Sequence, residues 1–307
     1  MRIKIMLAAA ALSVAGHAAM AEQLTGTLEK IRSTGVMTIG HRESSTPFSF
    51  YDGNEKVVGY AMELCYLAAD AVKAKLGLPK LDVKLVPVTP SGRIPSVLNG
   101  TIDMECGTTT NNIERQKVVG FSITYFVAAN RFMTKTSARL RTLDDLRGKI
   151  AVSTIGSTNL KQLSELNAQR NLGLTILAAK DNGEAFRMLE SDRADAFVMD
   201  DILLYSRMAH SAAPGDYMVS DDALSVEPYG IMIRRDDPAF KMVVDDAVAA
   251  VYRSGEIKKI YARWFQAPIP PNDINLNVPM SAPLQRTIEH LIDSGDPAAY
   301  LAVTGTN

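Results

Sequence analysis

Apolar positions along this chain switch repeatedly between the two-residue alternation of strands and the three-to-four-residue spacing of helices. Val36-Met37-Thr38-Ile39-Gly40 reads as a short strand, and Tyr60 to Leu76 as a helix with Gly77, a common stop signal, just past its end. Leu81 to Val88, with β-branched residues in alternation, predicts a second strand. Ser91 can cap a short helix through Leu98, which Asn99-Gly100 ends. Strand Ile102 to Cys106 and a helix from near Asn112 follow. Strand and helix in turn predict a largely parallel sheet covered by helices.

A second unit of the same kind begins near Thr142. Thr142 to Gly148 reads as a capped short helix, Ile150 to Ser153 as a strand and Asn159 to Arg170 as a helix. Strand Leu174 to Leu177, helix Gly183 to Glu190 and strand Ala196 to Met199 lead to Asp200 at a helix start. Tyr229 to Arg234 is again strand-like, and Asp237 to Phe265 reads as one amphipathic helix. The tail opens with Pro268-Ile269-Pro270-Pro271, which cannot be helical throughout, and is expected to wrap a lobe. No Gly/Ser-rich linker separates the units, so two lobes sharing a cleft are expected.

The N-terminus changes the picture. Arg2 and Lys4 precede the apolar run Ile5 to Ala15, and Ala19-Met20-Ala21 follows, the order of a secretory signal peptide cleaved after Ala21. The run is shorter than the roughly 20 apolar residues that a membrane span needs. Glu22 stands where a lipid-anchored protein would carry Cys, so a freely diffusing periplasmic protein is expected. Of 307 residues, 33 are Lys or Arg and 34 Asp or Glu; this balance lacks the basic field that nucleic-acid binding requires. Cys65 and Cys106 enter an oxidising compartment, but one sits on a helix-like run and the other ends a strand-like one. We expect both to be buried small apolar residues rather than a bridge.

Several runs then carry a resemblance. Gly40-His41-Arg42-Glu43-Ser44-Ser45-Thr46-Pro47-Phe48-Ser49, Arg93-Ile94-Pro95 and Glu105 to Arg115 closely resemble glutamate/aspartate-binding proteins of amino-acid ABC transporters, solute-binding protein family 3. So do Ala196-Phe197-Val198-Met199-Asp200-Asp201, and Lys259 to Phe265 with the proline segment after it. The resemblance spans nearly the whole mature chain in one order. It implies an α/β, two-lobed Venus-flytrap fold of type II with two hinge strands. The crossings are expected near Val127 to Phe132 and Val226 to Ile231. Lobe 1 is then 22–128 with 229–307, and lobe 2 is 129–228.

A free amino acid needs a cationic clamp for its α-carboxylate, an acceptor for its ammonium and groups for its side chain. Arg115 lies in the first turn of an expected helix, and the resemblance implies that it grips the α-carboxylate. Asp200 by position alone is an N-cap. The resemblance makes it the ammonium acceptor and leaves Asp201 as the cap. Thr108 and Thr110 suit hydroxyl or backbone contacts, and Gly156-Ser157-Thr158 lies at a strand-to-helix turn whose amides, with Thr158, can meet an anion. Arg42 and Arg93 match positions that hold the side-chain carboxylate, so an acid is expected over its amide. Two departures bear on that preference: Asn182 stands where relatives often place histidine, and Pro90 replaces a small hydroxyl residue.

Catalytic patterns are sparse. Asp103 and Glu105 stand two apart near the strand Ile102 to Cys106, and we expect no acid/base pair there. The four histidines are scattered without metal-ligand spacing, and no Gly-x-Ser-x-Gly elbow or phosphate-binding loop occurs. No metal and no cofactor are expected, and ATP hydrolysis belongs to a separate subunit of an inner-membrane permease. A monomer is expected. The alternatives are a periplasmic enzyme on the same fold, of the cyclohexadienyl dehydratase kind, with Glu43 or Glu105 as its carboxylate, a binding protein for glutamine or asparagine, and a sensor-presenting module.

Overall fold

A computed structural model describes residues 24–301. The expected signal peptide lies outside them. Among the described residues no helix is long and apolar enough to cross a membrane.

Two mixed sheets form the centres of two lobes. In the first, Val36–His41 pairs in parallel with Asp82–Pro87 on one side and Met104–Cys106 on the other. Met232–Arg234 then runs antiparallel between Met104–Cys106 and Val119–Phe121. In the second, Ile150–Thr154 pairs in parallel with Thr175–Ala179 and Ala196–Asp200. The long strand Phe126–Lys135 runs antiparallel to Ala196–Asp200, Tyr217–Val219 and Ser225–Tyr229. Parallel pairing within each unit follows from its strand–helix alternation, because a parallel return needs a crossover long enough for a helix.

The chain leaves the first sheet after Phe121 and enters the second at Phe126; it returns between Tyr229 and Met232. The two crossing strands pair with each other, Phe126 opposite Tyr229. An aromatic cluster anchors this crossing: Phe126 lies 4.9 Å from Phe48, 5.2 Å from Phe265 and 5.8 Å from Tyr229, centroid to centroid. Such rings bury large areas and pack edge-to-face or offset, which fixes where the crossing begins. The tail wraps the same region. Ile292 O accepts from Thr124 N at 2.8 Å, Asp293 O accepts from Asn111 Nδ2 at 2.9 Å, and Tyr300 OH meets Thr124 Oγ1 at 2.8 Å.

Three expectations need correction. Cys65 and Cys106 form a disulfide, with Cα atoms 6.3 Å apart. The helix Tyr60–Lys75 packs on the first sheet and brings Cys65 over the end of Met104–Cys106, a juxtaposition that linear spacing does not reveal. The segment 237–265 is two helices, Pro238–Arg253 and Glu256–Phe265, because Gly255 takes φ 75°, which ends the first helix. The short helix Arg93–Leu98 has Gly92 rather than Ser91 at its N-cap, and Thr89 Oγ1 accepts from Gly92 N at 3.0 Å.

The disulfide closes a loop across 41 residues, which by loop-closure entropy stabilises the fold by about 4 kcal/mol. Cys65→Ala with Cys106→Ala should lower the unfolding free energy by roughly that amount in urea titration. A loss under about 1 kcal/mol would assign the bridge no entropic role.

Candidate functional site

The cleft between the sheets holds a small cavity, about 20 Å³ to a water-sized sphere, partly open to solvent. Its lining includes Arg42, Arg93, Thr108 and Thr110 from one lobe and Thr158, Asn182 and Asp200 from the other. Seven of the eight residues singled out from the sequence thus meet around one space. The convergence has a common cause. Arg93, Thr158 and Asn182 are each the first residue of a helix, and Asp200 is the N-cap residue of Asp201–Ala209. Strand-to-helix turns at the carboxyl ends of both sheets point into the cleft, where α/β folds bind ligands.

Each side chain is held by local bonds. Arg42 follows the first strand, and its backbone is locked to Ser49, whose Oγ accepts from Arg42 N at 2.8 Å and donates to Arg42 O at 3.1 Å. The Arg42 guanidinium has no hydrogen-bond or ion-pair partner among the described residues. Arg93 Nη1 donates to Thr108 O at 3.1 Å, and its Nε is buried with no acceptor. Both arginines are only 3 % exposed. Burial, then the neighbouring Arg93 charge, lowers the Arg42 pKa to about 10, still charged at neutral pH. Two cations out of water with free donors make a site for an anion, because an uncompensated buried charge costs several kcal/mol, well above the ~1 kcal/mol of a neutral hydrogen bond.

The opposite wall is acidic. Asp200 makes no capping bond; Asp201 Oδ1 instead accepts from Ile202 N at 2.7 Å and Ala129 N at 3.2 Å. Asp200 Oδ1 accepts from Asn159 Nδ2 at 2.7 Å, and its Oδ2 accepts from Tyr229 OH. Burial, and then the charge of Glu227, raise its pKa above the ordinary carboxylate range. Glu227 accepts from Thr158 Oγ1 at 2.8 Å and Gln162 Nε2 at 2.7 Å. Asn182 Oδ1 accepts from Thr154 Oγ1 at 2.8 Å, which leaves Nδ2 as its free donor.

Arg115 is placed differently from the other seven. It lies at the cleft edge, outside the cavity lining, where Nη1 donates to Thr110 O at 2.9 Å and Nη2 to Gly156 O at 3.2 Å. It therefore joins the two lobes, while remaining in the field of Arg93, Glu227, Glu105 and Asp200. Thr110 and Thr158 hydroxyls meet across the cleft at 3.4 Å, and Arg207 donates to Ser44 O at 2.7 Å. Asn159, Glu227 and Tyr229 were not singled out from the sequence. Their only signals were an Asn in a helix's first turn and a Glu and Tyr within an apolar crossing strand.

Two lobes joined by paired crossing strands, with a charged cavity between them, define a two-lobed binding protein of the Venus-flytrap type. A family model described as bacterial extracellular solute-binding proteins, family 3, matches residues 37–267, and the chain belongs to that family. It is 50 % identical over 271 residues to an L-glutamate/L-aspartate-binding protein of Pseudomonas aeruginosa, covering 88 % of this chain and 89 % of that one. It is 46 % identical over 255 residues to a glutamate/aspartate import solute-binding protein of Escherichia coli, covering 83 % and 84 %. Among solved structures, an ancestral arginine-binding protein bound to arginine superposes with TM-score 0.68 at 28 % identity, covering 75 % of this chain and 98 % of that one. An ancestral amino acid-binding protein, a precursor of cyclohexadienyl dehydratase, gives TM-score 0.65 at 26 % identity, covering 78 % and 99 %.

At Gly156 the backbones of the two lobes approach closely enough to exclude a side chain, against Ser91. A Cβ on Gly156 would lie 2.7 Å from the Cα and N of Ser91, and its φ of 80° disfavours any side chain. Gly156→Ala should keep the cleft from closing. In saturating glutamate, small-angle scattering should give the variant a larger radius of gyration than the native chain, and equal radii would mean that the contact yields.

Proposed function

We propose that this protein captures an acidic amino acid, glutamate or aspartate, between its lobes and delivers it to an inner-membrane ABC permease whose ATPase is a separate subunit. It works as a freely diffusing monomer in the periplasm after signal-peptide cleavage. The observation that carries this reading is the pair of buried arginines with unpartnered donors facing Asp200 across one cavity. A dicarboxylic amino acid matches that pattern: an anion for Arg42 and Arg93, an ammonium for Asp200. The relatives named for glutamate and aspartate support the same ligand class.

Arg115 grips the α-carboxylate from the cleft edge, with Thr110 and Thr158 beside it, while Thr108 and Asn182 complete the polar walls. An amide ligand would leave the arginine pair uncompensated, which sets acid above amide. Among the described residues, the bodies that move are 24–128 with 229–301 and 129–228, rotating about the paired crossing strands. Ligand shifts the open–closed balance by the contacts that only the closed form completes.

Calorimetric titration of refolded, ligand-free protein should show one-to-one binding of glutamate or aspartate at least about 100-fold tighter than the amides, a difference of about 2.7 kcal/mol. Arg93→Ala should erode that ratio, and Arg115→Ala should abolish binding of all four ligands. Tight amide binding would overturn the acid preference, and no binding with turnover of a prephenate-like substrate would install the enzyme reading.

The raised Asp200 pKa gives a pH dependence. A proton held on the empty site must leave when an ammonium arrives, so affinity should rise as pH increases from about 5 to about 8. Binding heats near neutrality should differ between buffers of different ionisation enthalpy. Heats independent of buffer would remove Asp200 as the ammonium acceptor.

A further inference from the structure

Glu105 has no role in the reading above. It lies on the central strand Met104–Cys106, paired with Gly40 on one side and Met232 on the other, and is 0 % exposed. Asp103, two residues before it, is ion-paired, its Oδ2 accepting from Lys30 Nζ and Thr38 N, both at 2.7 Å. Glu105 is not. Thr109 Oγ1 donates to Oε2 at 2.5 Å, but Oε1 is buried with no donor. A buried carboxylate with an unfilled oxygen is costly, so a purely structural role would have placed a donor there.

Two groups with donors to spare stand near it. A Cβ on Gly107 would lie 2.4 Å from Glu105 Oε1 and 2.7 Å from Arg42 Cγ, so the carboxylate and the Arg42 stem flank one small gap that only glycine leaves open. Arg93 Nε is unpartnered. Yet among the described residues neither arginine forms an ion pair within 4.0 Å of Glu105. Its field acts on Arg42 through space, and the bond that either guanidinium makes among the described residues is the one from Arg93 Nη1 to Thr108 O. The hydrogen bond that the carboxylate accepts among the described residues comes from the Thr109 hydroxyl.

We propose that Glu105 is a specificity-determining counter-charge: held behind Arg42 and Arg93 without touching either fork, it lowers their combined charge so that the far end of the cavity takes one carboxylate. The proposal rests on the reading of this cavity as an acidic-amino-acid site. A contact ion pair would compete with the ligand for the guanidinium hydrogen bonds. A charge acting at a distance makes the buried arginines tolerable in the empty protein and leaves their donors for the ligand.

The test compares native protein, Glu105→Gln and Thr109→Val, titrated calorimetrically with glutamate, aspartate, glutamine and asparagine, with urea unfolding of each ligand-free form. Glu105→Gln keeps the shape and removes the charge. Acid affinity should rise about tenfold or more, since the ligand no longer meets a like charge, and amide affinity should change less. Its unfolding midpoint should fall, because two buried cations lose their counter-charge. Thr109→Val frees the carboxylate to swing onto the arginine forks, and acid affinity should fall about tenfold. Affinity and stability falling together in Glu105→Gln, or an unchanged acid-to-amide ratio, would overturn the proposal while leaving the transport reading intact. If Glu105→Gln does not fold, unchanged acid affinity in Thr109→Val overturns it alone. Failure of the native protein to bind any of the four ligands would overturn the underlying reading and this one with it.

Discussion

Two guanidinium groups held out of water in one small cavity repel each other and have lost their hydration, and neither can be neutralised by giving up a proton near pH 7. That constraint shapes much of what surrounds them. Both arginines are held by neutral groups: Ser49 Oγ accepts from the Arg42 backbone N–H, and Thr108 O accepts from the Arg93 guanidinium. Gly107 leaves room for the Arg42 stem beside Glu105. The helices that begin at Arg93, Thr158 and Asn182 add the partial positive charge of their N-termini to the same space. An entering anion relieves what the protein's own carboxylates leave of the sum, which is a physical reason for ligand and closure to be coupled.

The acidic wall is built on the opposite logic. Asp200 and Glu227 are both buried, yet their hydrogen bonds come from neutral donors: Asn159, Tyr229, Thr158 and Gln162. Neutral donors satisfy the oxygens without cancelling the charge, so an ammonium remains the missing partner. Tyr229 ties this wall to the hinge, because its ring stacks with Phe126 at the crossing while its hydroxyl holds Asp200. A rotation of the lobes therefore cannot be independent of the ammonium site. Arg115 belongs to the same coupling, since its two carbonyl acceptors sit on different lobes.

Much of the fold and the site was legible in the amino-acid order. The alternation of strand and helix periods predicted two α/β units with parallel cores, and the helix starts placed Arg93, Thr158, Asn182 and Asp200 at turns that face a cleft. Local capping chemistry was legible in part: Thr142 caps its short helix as expected, in a capping box with Asp145, but Ser91 yields its cap to Gly92, with Thr89 holding the turn. The break at Gly255 was written as a Ser-Gly pair inside an otherwise continuous apolar period, which the periodicity overrode.

What the sequence by itself determined is what depends on neighbours along the chain: element type, helix starts, and the chemical character of residues that a turn presents. Only the tertiary structure decided the rest, because it depends on distances between segments far apart in order. The packing of a helix on a sheet turned Cys65 and Cys106 into a disulfide. The approach of one lobe to the other made Gly156 a point of contact and gave Arg115 a carbonyl acceptor on each lobe. Whether a buried charge keeps its donors free or spends them on a protein partner is likewise a matter of a few ångströms. No residue pattern encodes that distance, because electrostatic and steric terms are summed over the folded space and not along the chain.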